Sequence, residues 1–286
     1  MNSDYFHCRA ADFLSKVLPR PFAYWFGLRV ADICYYNDDR GRHAVMSNLR
    51  NILEFQGVHP SEETLERLAR QTFRNFGKYV VDFFRFTRMT MVQVDRIVSI
   101  EHPEYIKQAA DLGKGVLVVT AHFGSWEMGG IVLSALGYPL NVVALQQRDR
   151  RINELFQSHR VRRGLKVIPL GSAAIGTIKA LKKGEFVALL ADRDYSGHRD
   201  LVRFFGKMAR FPRGPAMLCT RIGAVILPGF LLRLPDDTFL LRMHKPIHVG
   251  TSSISEVQAD LCRILEKEIG ENPTQWYMFD EFWNID

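Results

Sequence analysis

Cysteine is scarce: four residues in 286, Cys8, Cys34, Cys219 and Cys262, with no CxxC or Cys/His pattern among them. Such spacing supplies neither a disulfide framework nor a structural zinc site, and it fits free, buried thiols in a reducing compartment. Histidine spacing is no more useful to a metal. His159 and His198 lack a partner at ligand spacing, and His244-x3-His248, which would stack on a helix, falls in an expected strand with Pro246. Neither a metal nor a cofactor is expected.

Long hydrophobic runs are also missing. The longest charge-free stretch, Met128 to Gln147, is divided by Gly137-Tyr138-Pro139 and reads as helix, turn and strand, not as a membrane span. The N-terminus has no basic start followed by a long apolar core and a small-residue cleavage site, so no secretory signal is expected. There is no internal repeat, low-complexity tract or long linker. Acidic residues are the minority charge, 31 against 38 Lys and Arg for a net +7, which calls for an anionic partner. A membrane surface, a phosphorylated substrate and nucleic acid all qualify; no recognition helix or RNP-type aromatic strand is present, so nucleic acid is not the expected partner and a basic nucleic-acid-binding protein is the third-placed reading.

Apolar residues, at 47%, suffice for a large core. Residues 1–40 read as an N-terminal amphipathic segment and 41–286 as a single domain. From Phe13 to Tyr36 the chain is aromatic and apolar but interrupted by Lys16, Arg20, Arg29 and Asp32, and Pro19 and Pro21 break it early. Phe22, Trp25, Phe26, Val30 and Ile33 follow helical spacing, and Arg29 can snorkel from the same stripe. A helix lying in the membrane interface fits this pattern, as does a helix packed on the protein's own core.

Two further helices are expected: one over 42–55, with Val45, Leu49, Ile52 and Leu53 on one face, and a stronger one after His59-Pro60. Ser61 caps the second, Glu62 and Glu63 suit its first turn, and Leu65, Leu68, Ala69, Phe73, Phe76, Val80 and Phe83 form a long stripe that reads as core or as the wall of an acyl groove. From residue 115 strands alternate with helices. Val116–Thr120, Asn141–Leu145, Leu165–Leu170, Phe186–Ala191 and Ala224–Phe230 read as strands, and 127–136, 151–163, 173–183 and 214–222 as helices. A strand or hairpin edge over Thr238–Val249 and an amphipathic helix bearing Ile254, Val257, Leu261, Ile264 and Leu265 complete an α/β fold, a largely parallel sheet covered by helices with an N-terminal helical region.

Directly after the first strand of this series stands His122-Phe123-Gly124-Ser125-Trp126-Glu127. Positions five apart point about 140° away from each other on a regular helix, so His122 and Glu127 converge only if the histidine lies in the turn and the glutamate in the first turn of the next helix. A strand-end loop feeding a helix is a favoured place for a site in an open α/β sheet. A histidine held by a carboxylate at one ring nitrogen presents the other as a base. Ser125 lacks the Gly-x-Ser-x-Gly elbow of a nucleophile.

The pair resembles the His-x4-Asp/Glu signature of the glycerolipid acyltransferase superfamily, and the string Gly115–Glu127 resembles the branch of bacterial lipid A biosynthesis (lauroyl/myristoyl) acyltransferases. Asn48-Leu49, Arg160 with Gly164, Asp192-Arg193-Asp194, Phe204-Phe205-Gly206 and Gly214-Pro215-Ala216 follow in that branch's order. Arg193 and Arg213 depart from it, standing where the branch commonly has Gln and often has Thr, and both bear on the acceptor.

The resemblance implies a glycerolipid acyltransferase-like fold and transfer of a fatty acyl group from an acyl carrier protein or acyl-CoA thioester to a hydroxyl of a lipid A-type or other glycolipid or lysolipid acceptor, an amphiphilic, anionic lipid. It makes His122 the general base and Glu127 the residue that orients it. Arg160, Arg163, Asp192, Arg193 and Trp126 become substrate-binding candidates, Arg160 for a substrate phosphate or for structural anchoring near the site, and Phe204-Phe205-Gly206 a loop wall. It also implies work at the cytoplasmic face of the inner membrane, as a peripheral or monotopic protein. An ester or thioester hydrolase using the same pair is the alternative reading.

Overall fold

A computed structural model describes residues 3–86, 89–194, 197, 199–250 and 252–284; His198 lies outside them. Four helices open the chain: α1 (Ser3–Val17), α2 (Arg20–Asn37), α3 (Asp39–Phe55) and α4 (Glu62–Arg85). Pro21 sits in the first turn of α2, where its missing N–H costs nothing, and Ser61 caps α4 by accepting from the Thr64 amide. Helix α2 lies close against α4 because Gly27 faces Gly77. A Cβ on Gly77 would stand 2.7 Å from the Gly27 carbonyl oxygen. A buried ion pair, Arg233 with Asp82, joined by the Tyr24 hydroxyl at 2.7 Å from Asp82, fixes α2 and α4 to the sheet.

The two readings of the N-terminal segment fall on opposite faces of α2. Ala23, Tyr24, Ala31 and Tyr35 are buried against the protein, whereas Phe22 is 63% exposed and Trp25 55%, with Phe26, Val30 and Ile33 beside them. Among the described residues no helix is long and apolar enough to cross a membrane.

Next come α5 (Met91–Asp95), β1 (Val98–Glu101) and α6 (Glu104–Asp111), and then the alternating series β2 (Val116–Thr120), α7 (Trp126–Ala135), β3 (Leu140–Ala144), α8 (Arg150–Val161), β4 (Lys166–Pro169), α9 (Ala173–Leu181) and β5 (Phe186–Leu190). A hairpin, β6 (Arg199–Phe204) and β7 (Lys207–Pro212), precedes α10 (Gly214–Ile222), β8 (Val225–Arg233), β9 (Phe239–Met243), β10 (Ile247–His248) and α11 (Ile254–Glu271). The eight-stranded sheet has the order β1-β9-β8-β2-β5-β3-β4, with β10 also on β8. Its pairs are parallel except β8 with β9 and β8 with β10.

Alternation along the strands divides the core. Val116, Val118, Leu140, Phe186 and Leu227 pack under α7, while Leu117, Val119, Val187 and Ile226 pack against α9, α10 and α11. The 127–136, 151–163, 173–183 and 214–222 helices and the five strands form within a few residues of the expected bounds. The edge expected over Thr238–Val249 is two strands, because Pro246 interrupts the ladder between Met243 and Ile247. Only Cys219 and Cys262 of the four thiols are buried, and burial pushes both up to about 12, which leaves them inert.

Beyond β2 the chain turns sharply at Gly124, whose φ is 58°, and a Cβ there would lie 2.0 Å from the Leu231 carbonyl oxygen. Gly124→Ala is therefore expected to lose at least about 1–3 kcal/mol from the left-handed backbone alone, read as a lowered urea midpoint at unchanged m.

Candidate functional site

His122 and Asp192 stand at the carboxyl ends of adjoining parallel strands. Thr120 of β2 is level with Leu190 of β5, the Ala191 amide donates to the Thr120 carbonyl at 2.8 Å, and each chain continues two residues past that register. His122 and Asp192 therefore arrive side by side. Asp192 Oδ1 lies 2.9 Å from His122 Nδ1, while its Oδ2 accepts from the His122 amide at 2.9 Å and from Trp276 Nε1 at 3.0 Å. A carboxylate only accepts, so Nδ1 carries a hydrogen, and in the neutral ring the lone pair is then on Nε2.

Asp192 is 2% exposed. Burial pushes its carboxyl up, but the charge of His122 and the hydrogen bonds from His122 and Trp276 pull it further down, so it is held below the usual carboxylate range.

The direct contact expected between His122 and Glu127 is replaced by this one. Glu127 does lie in the first turn of α7, but its carboxylate turns towards α8 and takes the guanidinium of Arg160, with Nη2 at 2.5 Å and Nε at 3.2 Å from both oxygens. Both partners are largely buried, and their mutual charge keeps Arg160 above its ordinary value despite its desolvation. Arg160 thus holds a protein carboxylate.

The turn is also pinned from the C-terminal side. Tyr277 donates its amide to the His122 carbonyl at 2.8 Å, Gly124 to Gln275 at 2.9 Å, and Ser125 to Leu231 at 2.8 Å. With the Phe123 amide on Ala121, the four amides from His122 to Ser125 are all engaged. Asn48, one of the early landmarks, holds this C-terminal stretch by donating to the Met278 and Asp280 carbonyls at 3.1 and 2.9 Å.

His122 opens onto a cavity of about 410 Å³, within the range of ligand pockets. Phe76, Tyr79, Val80 and Phe83 of α4 form one wall, so this part of the α4 stripe lines a cavity, whereas Leu65, Ala69 and Phe73 are core. Trp126 stacks on Tyr79 at 4.0 Å between ring centroids and sets its edge against the His122 ring at 5.4 Å. Burial, with Glu127 nearby, pushes the Tyr79 phenol well up, so it stays protonated. Arg193 lines the cavity and donates to the Tyr277 carbonyl at 3.1 Å.

Two expected site features lie elsewhere. Arg163 donates to the carbonyls of Phe86 and Met89, closing the chain end beyond α4, and does not line the cavity. Phe204-Phe205-Gly206 forms the β6–β7 turn, its rings buried among Trp276, Phe282 and Trp283. Among the described residues no cluster of three metal-ligating side chains occurs.

Sequence reasoning placed Asp192 near the site but not on His122, and it passed over Trp276, Tyr277 and Tyr79. The signal for Asp192 was present: it follows β5 by the same offset by which His122 follows β2. Using that signal requires knowing that β2 and β5 are neighbours.

Glu127→Ala leaves the buried Arg160 charge uncompensated and is expected to cost about 3–5 kcal/mol in urea unfolding, with Glu127→Ala/Arg160→Met recovering part of it. The depressed Asp192 carboxyl contributes stability that is fully present above about pH 3.9, its unfolded value, and is lost as pH falls through the lower folded value. Asp192→Asn should flatten that acid limb in pH-dependent unfolding.

Relatives of the chain bear on what this geometry serves. A phosphatidylinositol mannoside acyltransferase of Mycolicibacterium smegmatis is 23% identical over 241 residues, 83% of this chain and 79% of the relative. The lipid A biosynthesis palmitoleoyltransferase of Escherichia coli is 26% identical over 276 residues, 90% of each chain. The crystal structure of a 1-acyl-sn-glycerophosphate acyltransferase from Thermotoga maritima superposes with a TM-score of 0.43 at 15% identity, covering 90% of this chain and 99% of that one. The family described as bacterial lipid A biosynthesis acyltransferase matches residues 7–284. By that match, over nearly its whole length, the chain belongs to the bacterial lipid A biosynthesis acyltransferase family and is an acyltransferase.

Proposed function

We propose that the chain moves a fatty acyl group from an acyl carrier protein or coenzyme A thioester to a hydroxyl of a glycolipid acceptor, with His122 as general base and Asp192 as the carboxylate that orients it. The observation that carries this reading is the His122–Asp192 pair at the mouth of an apolar cavity. Nε2 of His122 takes the acceptor's proton, the alkoxide oxygen attacks the thioester carbonyl, and collapse of the tetrahedral intermediate expels the thiolate, which leaves as the thiol with that proton. Asp192 stabilises the imidazolium in between. The turn amides are engaged, so the oxyanion falls to Arg193 and the open N-terminus of α7. Glu127 acts through Arg160, shaping the wall beside the base. No cofactor enters these steps.

The same reading seats the protein on the cytoplasmic face of the inner membrane through the exposed stripe of α2, extended by Phe13 and Val17 of α1. Arg148, next to the cavity-lining Gln147, and Arg150, at the start of α8, are exposed and suit an acidic carrier protein.

Mass spectrometry of lipids from matched deletion cells tests the activity. Wild type should add one acyl mass to one lipid class, and His122→Ala at equal abundance should add none. Identical profiles from the two proteins refute the base, and release of free fatty acid without an acceptor points to the hydrolase. With purified protein, Asp192→Asn should lower kcat by about 10²–10⁴-fold with a small change in KM. Trp25→Ser/Phe26→Ser should abolish flotation with anionic vesicles while leaving the melting curve intact.

A further inference from the structure

Where α2, α4 and α5 meet there is a second cavity of about 240 Å³, below the roughly 300–1,000 Å³ of most small-molecule pockets. It shares no lining residue with the cavity at His122. Three guanidinium groups border it: Arg20 from the first turn of α2, Arg85 from the last turn of α4 and Arg96 just beyond α5. Phe86, Met89 and Ile97 supply apolar wall.

Among the described residues no carboxylate stands within ion-pair distance of any of the three. Asp82 lines the cavity but is occupied elsewhere: Oδ1 accepts from the Tyr24 hydroxyl at 2.7 Å, and Oδ2 pairs with Arg233. Arg20 and Arg85 are fixed by backbone carbonyls. Arg20 donates Nη2 to the Asp237 carbonyl at 2.5 Å and Nε to the Tyr24 hydroxyl at 2.9 Å, and Arg85 donates Nη1 to the Ser15 carbonyl and, at 2.7 Å, to the Leu18 carbonyl. Those bonds leave Nη1 of Arg20 and Nη2 of Arg85 without a partner. Arg96 is exposed and makes no hydrogen bond or ion pair among the described residues. Gln93, also in the lining, accepts the Thr90 amide at 2.9 Å with its side-chain oxygen, which leaves its amide nitrogen as a further donor.

Three like charges around one small cavity repel one another, and an anion between them turns that repulsion into attraction. Guanidinium groups present paired N–H donors that match phosphate oxygens bidentately. We infer that this pocket binds a phosphate monoester group, held jointly by Arg20, Arg85 and Arg96 and separate from the acceptor at His122. Free phosphate and the head of a phosphatidic acid-type lipid carry the same group. Exposed apolar residues follow the pocket in sequence on α2 and precede it on α5, Phe22 at 63% and Val92 at 61%, which favours the lipid. An occupied pocket ties the start of α2 to the end of α4. The site does not depend on His122 being the base, and its test needs no turnover.

Purified full-length protein in phosphate-free buffer is titrated with inorganic phosphate by calorimetry. It is also floated with phosphatidylcholine vesicles containing either phosphatidic acid or phosphatidylglycerol, matched in surface potential. Arg96→Gln is compared with Arg210→Gln, which removes the same charge from an exposed position of β7. Arg96 has no partner to lose, so both variants should melt like wild type.

Wild type should bind phosphate at one site, Arg96→Gln should weaken that binding about tenfold or more, and Arg210→Gln should leave it within about twofold. Stronger flotation with phosphatidic acid than with phosphatidylglycerol, lost in Arg96→Gln alone, assigns the group to a lipid head. Equal flotation with the two lipids, alongside Arg96-dependent binding of inorganic phosphate, assigns it to a soluble phosphate. Wild type that neither binds inorganic phosphate nor prefers phosphatidic acid overturns the site. A loss in Arg96→Gln no larger than that in Arg210→Gln also overturns it, because net charge then accounts for the binding.

Discussion

Asp192 is the group on which the arrangement of the site depends. A carboxylate this deeply buried survives as an anion only if its oxygens are satisfied, and three donors do so: the ring and amide of His122 and the indole of Trp276. Two come from the turn after β2 and one from the C-terminal segment. Through them one carboxylate ties together the turn after β2, the end of β5 and the C-terminal segment. The same bonds fix the tautomer of the imidazole, so the burial of Asp192 and the basicity offered at Nε2 have one cause. Glu127 solves a separate problem by neutralising Arg160 within the cavity wall. The two carboxylates thus divide between orienting a ring and holding a wall.

Around this point the protein removes side chains on one side and adds large ones on the other. Glycine and alanine open the space between α7 and the sheet, and the aromatic face of α4 closes it from outside. Helix α4 is in turn held by α2 through glycine-to-glycine contact and by the Asp82–Arg233 pair. The N-terminal helices therefore do two things at once. Their inner faces support the cavity wall, and the outer face of α2 leaves aromatic residues bare, in line with the proposed seat on a lipid surface.

Much of the fold was legible because apolar runs and turn residues act locally. Strand Val116–Thr120, helix α7 and the Ser61 cap follow from neighbours within a few positions. What was not legible depends on partners distant in sequence. β1 is a short strand whose alternation is too weak to stand out, and its partner β9 begins more than a hundred residues later. The β6–β7 hairpin was hidden by its arginines, which occupy the outward positions of a ribbon buried on one face only.

At the site, the motif pairs the His122 ring with Glu127, whereas the ring lies on Asp192 and Glu127 holds Arg160. Spacing along one chain favours Glu127, whereas register between β2 and β5 delivers Asp192. Arg160 and Arg163 stood as substrate-binding candidates by resemblance, and both guanidinium groups are engaged inside the protein: one on Glu127, the other on the carbonyls beyond α4.

The central claim, that Asp192 and not Glu127 holds the His122 ring, is most directly tested by NMR of the imidazole N–H protons in uniformly ¹⁵N-labelled protein. The His122 resonance would be assigned by its loss in His122→Gln. The account predicts a downfield, exchange-protected Nδ1–H signal in wild type that persists in Glu127→Gln and disappears or moves strongly upfield in Asp192→Asn. A signal unchanged in Asp192→Asn but lost in Glu127→Gln would contradict it.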